Sequence, residues 1–220
     1  MGRKSRGTRG KKIMTSQRSG ANLASGFDVP EEDVLRARLY AILAHLLTAP
    51  PAAATLESVR ALEGDETEMG RALGALAAVA AKTSVEAAEE EYNTLFIGMA
   101  HGEFTPYASY YLAGFLMEKP LAKLRGDMAR LGIAAAEEFK EPEDHIGVLC
   151  EMMHGLITGA FGAPVDVATQ KDFFDAHIRP WATRFFEDLE ASKSTILYMP
   201  VGTVGRVFMA IEAEAFAMGA

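Results

Sequence analysis

The chain has 220 residues, 49% hydrophobic and 24% charged, and can bury roughly 70% of its unfolded surface in one core without disulfides or a structural metal. Seven of its 22 Lys and Arg lie within residues 1–18, where there is no acid, so residues 19–220 set fifteen cations against thirty carboxylates, a net charge near −15. A body this acidic argues against a nucleic-acid or anionic-membrane surface and suits a basic partner.

Residues 1–27 are rich in Gly, Ser, Arg and Lys and poor in apolar side chains, which reads as a disordered basic tail. It is either a solvated end or an arm for nucleic acid, and Met14 offers an alternative start. No apolar segment follows the cations as it would in an export leader, and no run approaches the ~18 apolar residues of a membrane span. The expected location is cytoplasmic.

From Pro30 the pattern is helical. Leu35, Leu39, Ile42, Leu43 and Leu46 fall on one face of a 3.6-residue helix that Pro50-Pro51 stops. The Ala- and Leu-rich stretch 52–82 predicts two short helices broken near Gly64-Asp65. Thr83 with Glu86 predicts a capping box opening a helix to Phe96, with Glu89-Glu90-Glu91 as a solvated edge. After a loop over Gly98–Gly102, Pro106 is expected as the first residue of a helix carrying Tyr107, Tyr110, Tyr111, Leu112 and Phe115. Another helix runs from Pro120 to Gly132. Glu141-Pro142-Glu143-Asp144-His145 then predicts Pro at a helix start with acids in its first turn, followed by a buried stripe of Ile146, Leu149, Met153, Leu156 and Ile157. Helices near 167–190 and 201–217, punctuated by Pro180 and Pro200, complete the chain. Ile196–Met199 is the one strand-like piece. The predicted fold is all-α, a single bundle of about eight to ten helices over residues 28–220.

Motifs for chemistry are sparse. There is no P-loop and no Gly-rich dinucleotide string, and Gly202 and Gly205 are explained by flexibility and close packing at a helix start. Glu151 and His154 form one Glu-x-x-His, the spacing of di-iron bundles, but no second copy exists to complete such a site. A helical metal-binding enzyme using Glu151 and His154 is the alternative reading. Cys150 lies in an apolar run and is expected as an inert core thiol.

Two clusters stand out. Tyr92-Asn93-Thr94-Leu95-Phe96 and Pro106-Tyr107-Ala108-Ser109-Tyr110-Tyr111-Leu112 crowd aromatic and aliphatic groups on both sides of a Gly-containing loop. They either pack in the core or form a peptide-receiving groove. Asp144-His145 beside Pro142 either caps a helix or accepts hydrogen bonds from a cationic peptide, and His145 would then make that binding sensitive to pH.

At these clusters the sequence resembles the TorD/DmsD family of redox-enzyme maturation chaperones. The resemblance rests on Tyr92-x-x-Leu95-Phe96, on Pro106-Tyr107-x-Ser109-Tyr110-Tyr111, and on Glu141-Pro142-x-Asp144-His145, in that order. Leu121-x-x-Leu124-Arg125 to Leu131-Gly132 lies between the second and third. Relatives often carry Trp where Tyr107 stands. The resemblance implies an all-helical protein, monomeric or a domain-swapped homodimer, with no catalytic site and no cofactor of its own. It implies a chaperone that binds the twin-arginine signal peptide and apo form of a molybdenum-containing oxidoreductase and assists molybdopterin insertion before export. Asp144 and His145 would contact or shape the peptide site and Pro142 would fix the helix entry. Leu95, Phe96, Pro106, Tyr107, Ser109, Tyr110 and Glu141 would line or adjoin it.

Overall fold

In the computed structural model, residues 11–12, 29–98, 102–135 and 141–219 are described. The remainder of the predicted basic tail lies outside them. Ten helices carry the fold among the described residues: α1 (Glu31–Leu47), α2 (Ala53–Arg60), α3 (Glu68–Ala80), α4 (Val85–Tyr92), α5 (Ala108–Ala113), α6 (Lys119–Leu131), α7 (Ile146–Thr158), α8 (Val167–His177), α9 (Ala182–Ala191) and α10 (Tyr198–Met218). A π-helical turn, Asn93–Ile97, continues α4. One short parallel pairing joins β1 (Lys11–Lys12) to β2 (Ile133–Ala134). The all-α prediction holds.

The bundle forms around α7. Its buried residues include Ile146, Leu149, Met153, Leu156 and Ile157, as predicted, and also Val148, Cys150 and Met152. With only Glu151 and His154 partly exposed, α7 keeps almost no solvent face and lies in the core. Gly147 lets α1 cross it closely, since a Cβ there would stand 2.7 Å from Thr48 Cγ2. On the far side α9 and α10 meet the same way: a Cβ on Gly202 would lie 2.5 Å from the Glu190 backbone nitrogen, and one on Gly205 2.1 Å from the Phe186 ring. Close packing, not flexibility, accounts for these glycines.

Polar ties close the bundle. Arg36 on α1 donates to both carboxylate oxygens of the fully buried Glu212 on α10, at 2.7 and 2.8 Å, and the Tyr40 hydroxyl donates to the same group at 3.0 Å. A buried carboxylate is tolerable only when paired and hydrogen-bonded in this way.

Several sequence expectations shift. The buried face of α1 runs through Ala37, Tyr40, Leu43, Ala44, Leu46 and Leu47, while Leu35 is exposed. Counting Leu and Ile alone missed the small residues that let α7 approach. The cap of α4 is Ser84, whose hydroxyl accepts from Ala87 N at 3.1 Å, and Thr83 instead bonds back to Val79. Glu91 is no solvated edge. Its carboxylate accepts the backbone N–H groups of Ile196, Leu197 and Tyr198 at 2.8–3.0 Å and seats the start of α10. That helix therefore begins before Pro200, in a first turn where a missing N–H costs nothing. Of the strand-like 196–199 piece, Ile196 and Leu197 lead into this helix and Tyr198 and Met199 begin it.

Candidate functional site

The second and third motifs meet at one joint between α5 and α7, and the first holds the loop that leads into it. The π-helical turn comes first. Leu95 is buried, and its carbonyl accepts from Phe104 N at 2.8 Å across the intervening loop. Gly102 makes that return possible, because a Cβ there would stand 2.5 Å from the Phe96 carbonyl carbon. Phe96 is half-buried, with ring centroids 5.0 Å from Tyr92, 5.3 Å from Tyr198 and 6.5 Å from Phe104.

The chain then reaches Pro106, which is buried and lies ahead of α5 rather than at its first position. Its ring leaves the carbonyl free to accept from Ile146 N at 2.9 Å, while Ala108 N donates to the Asp144 carbonyl at 3.0 Å. These bonds make an antiparallel bridge of Tyr107 with His145. Pro142 likewise sits before its helix, its carbonyl accepting from His145 N at 3.2 Å, so the acids at 141–144 form the approach to α7 and not its first turn.

Both expected peptide contacts lie inside the joint. Asp144 is 1% exposed, and its Oδ2 accepts the Ser109 backbone N–H at 2.7 Å and the Ser109 hydroxyl as well. Oδ1 of the same carboxylate is buried and has no partner among the described residues. His145 is 5% exposed and caps α7, its Nδ1 accepting from Gly147 N at 3.1 Å. That bond assigns the ring proton to Nε2. Burial holds the His145 pKa down at about 4, so the ring is neutral near pH 7 and does not supply the pH sensitivity expected of it.

The accessible groups form a rim over this joint. Tyr107 is half-buried, its ring 5.0 Å from the His145 ring and its hydroxyl donating at 2.5 Å to the exposed Glu141. Burial, then this contact with Glu141, pushes the phenol pKa well up, so the hydroxyl stays protonated and keeps donating. Glu143 pairs with Arg125 of α6 at 2.8 Å. Tyr111 anchors α5 to α9, with its hydroxyl 3.0 Å from Asp188 and its ring centroid 5.3 Å from that of Trp181.

Beyond the anchor, the chain exposes Tyr110, Leu112, Phe115, Leu116 and Met117, with Phe115 at 72% and Met117 at 73%. Gly114 turns left-handed to end α5, and Met117 holds φ of 61°, a conformation most side chains avoid. Exposed apolar residues gathered in this way are a feature that interaction surfaces share. The sequence reading placed Leu112 and Phe115 on a longer helix and missed the strip. Its signal was the Gly-Phe-Leu-Met run, whose apolar residues follow a helix stop.

Glu151 and His154 do not gather into a metal site. His154 Nδ1 is bonded to the Ala37 carbonyl at 2.9 Å, and no cluster of three potential ligands exists among the described residues. Burial raises the Glu151 pKa to about 7. Cys150 is fully buried and its thiol pKa is pushed well up, as expected of an inert core residue. No described helix is long and apolar enough to cross a membrane.

Residues 62–187 match the family model of the nitrate reductase delta subunit. The chain is similar to the chaperone protein TorD of Aliivibrio fischeri, 30% identical over 100 residues, covering 42% of this chain and 46% of that protein. It is also similar to TorD of Photobacterium profundum, 40% identical over 68 residues (30% and 32%), and to TorD of Vibrio cholerae, 25% identical over 126 (54% and 57%). The chain thus spans roughly a third to just over half the length of these curated relatives. Among solved structures it resembles a candidate redox enzyme maturation protein from Archaeoglobus fulgidus, with a TM-score of 0.52 at 20% identity, covering 84% of this chain and 96% of that one. That likeness shows the shared fold.

Proposed function

We propose that this chain, which belongs to the nitrate reductase delta subunit family, is a cytoplasmic maturation chaperone for a molybdenum-containing oxidoreductase. It binds the client's twin-arginine signal peptide and apo form, keeps the apo-enzyme competent for molybdopterin insertion, and holds it until export. It is a binding protein rather than an enzyme, in keeping with relatives named as chaperones.

One observation carries the reading: an exposed apolar strip from Tyr110 to Met117 runs on from the Tyr107–Glu141 edge, on a body with fifteen cations against thirty carboxylates. A twin-arginine leader has the complementary order, cations and then an apolar stretch. The acidic body attracts the first over a range near the ~8–10 Å Debye length, and the strip receives the second by apolar burial. Asp144, His145, Ser109, Leu95, Pro106 and Pro142 hold the joint that positions this rim. On this reading Phe96, Tyr107, Tyr110 and Glu141 touch the peptide.

Calorimetric titration with twin-arginine leader peptides of molybdenum oxidoreductases tests this. Binding should be measurable and weaken steeply between 50 and about 300 mM salt. If neither such leaders nor full-length apo-clients bind, the assignment is wrong.

A further inference from the structure

We propose that the leader's apolar stretch does not end on the Tyr110–Met117 strip but continues along a row of aromatic rings to a second apolar patch, formed by Ile97, Ile196 and Met199. The inference rests on the function proposed above and extends its contact surface.

The patch is built at one seam, where the π-helical turn meets the start of α10. Glu91 accepts the backbone N–H groups of Ile196 and Tyr198 at 2.8 and 2.9 Å, and the Phe96 ring packs edge-on against the buried Tyr198 ring at 5.3 Å. Ile97 directly follows Phe96, and Met199 directly follows Tyr198. The seam therefore gathers three aliphatic residues from two stretches about a hundred residues apart in sequence. None of the three enters the core; all are exposed, Ile196 at 69%.

Rings join this patch to the strip. The exposed Tyr110 ring lies 6.1 Å from that of Tyr111, which lies 6.0 Å from Phe185; Phe185 is 6.5 Å from Phe104, and Phe104 is 6.5 Å from Phe96. Phe185 is fully buried and forms the floor, whereas Tyr111, Phe104 and Phe96 are half-buried and keep accessible surface. Rigid rings held over a buried neighbour offer apolar area with little left to order when a ligand covers it. Carboxylates edge the row: Asp188 accepts from the Tyr111 hydroxyl at 3.0 Å, and Glu103 from the Ser192 hydroxyl at 2.7 Å. A segment lying here thus stays in surroundings that attract the leader's cations.

Length and continuity identify the occupant. The six-residue α5 is about 9 Å long, whereas an export leader's apolar stretch of ~7–15 residues is about 10–22 Å long as a helix. The strip suits the short end of that range. From Tyr110 to Phe96 the ring-to-ring steps reach at most about 25 Å, which suits the long end. Strip and row form one track for a long apolar stretch, and Ile97, Ile196 and Met199 receive its far end.

The test uses two synthetic leaders with the same twin-arginine segment, one with about 15 and one with about 7 apolar residues, spanning the natural range. Each is titrated calorimetrically into the full chain and into the full-length variant Ile97→Ser, Ile196→Ser and Met199→Ser, whose helix content and Tm are checked first. We expect the unaltered chain to bind the longer leader at least about ten-fold more tightly, and the variant to bind the two within about two-fold. Equal affinities in the unaltered chain, or undiminished discrimination in the variant, would overturn the proposal and leave the chaperone reading standing. If sedimentation shows a dimer that the variant loses while it still discriminates the leaders, the patch belongs to a second copy of this chain and the proposal is likewise overturned. If neither leader binds either chain, the chaperone reading fails and takes this inference with it.

Discussion

Replacing Asp144 with Ala removes the acceptor that joins α5 to α7. The Ser109 N–H and hydroxyl would both lose their partner in a site closed to water. Leaving a buried donor unsatisfied costs about 1–3 kcal/mol. The unpaired Oδ1 works the other way, because deleting it relieves an existing desolvation cost. The net loss should be about 2–4 kcal/mol, which for a domain of this size lowers Tm by roughly 5–15 °C. Ser109→Ala alone removes only the hydroxyl, and adding it to Asp144→Ala removes one of the two orphaned donors. The double variant should therefore be less destabilised than the sum of the two singles, by about 1–2 kcal/mol. Guanidinium unfolding followed by circular dichroism measures all three variants. A loss below about 0.5 kcal/mol for Asp144→Ala, or strict additivity in the cycle, would refute the joint.

Gly202→Ala drives a methyl into the Glu190 backbone and should cost about 1–3 kcal/mol, read as a lower denaturation midpoint; an unchanged midpoint would deny the tight α9–α10 crossing. His145 has a folded pKa of about 4, below its unfolded value near 6.5, so the unfolded chain binds the proton first. Its contribution is therefore complete above pH 6.5 and drains away as pH falls toward 4, by up to about 3 kcal/mol. His145→Asn keeps a capping oxygen and should flatten the stability–pH curve across that window; an identical slope counts against the assignment. Phe115→Ser with Met117→Ser removes exposed surface only, so stability should change by less than about 0.5 kcal/mol while leader affinity falls at least about ten-fold. Full affinity in that variant would remove the strip from the binding surface.

How much of this the sequence disclosed depends on the kind of signal. The stripe Ile146, Leu149, Met153, Leu156 and Ile157 was legible because periodic apolar burial is a local property. The chain breaks at Gly64-Asp65 and Pro180 were legible for the same reason. Prolines misled by small offsets: Pro106 and Pro142 precede their helices because each carbonyl is used in the joint, a contact 35 or more residues away in one case. Glu91 looked solvent-facing within its acidic run, since nothing nearby reveals that the start of α10 lies against it. The side chains of the joint were found by motif, but their burial was not, because a carboxylate and an imidazole beside a proline read equally well as a cap or as a ligand site.

That last ambiguity has a physical resolution. Asp144 Oδ2 and His145 Nδ1 are engaged by Ser109 and Gly147, within the protein, so the motif that carries the family resemblance ties α5 to α7. Different residues are accessible: Tyr107 and Glu141 at the edge, then Tyr110, Leu112, Phe115, Leu116 and Met117, and the proposed function takes these as the partner's contacts. Scaffold and contact surface share the short α5, so a change in the joint moves the rim, whereas a change in the rim leaves the joint intact. Under the proposed function, variation at Tyr110, Leu112 and 115–117 retunes which apolar segment is accepted, while Tyr111 keeps α5 anchored to α9. Under the proposed function, choice of client belongs to the strip, and the Asp144–His145 turn supplies the geometry in which that choice is expressed.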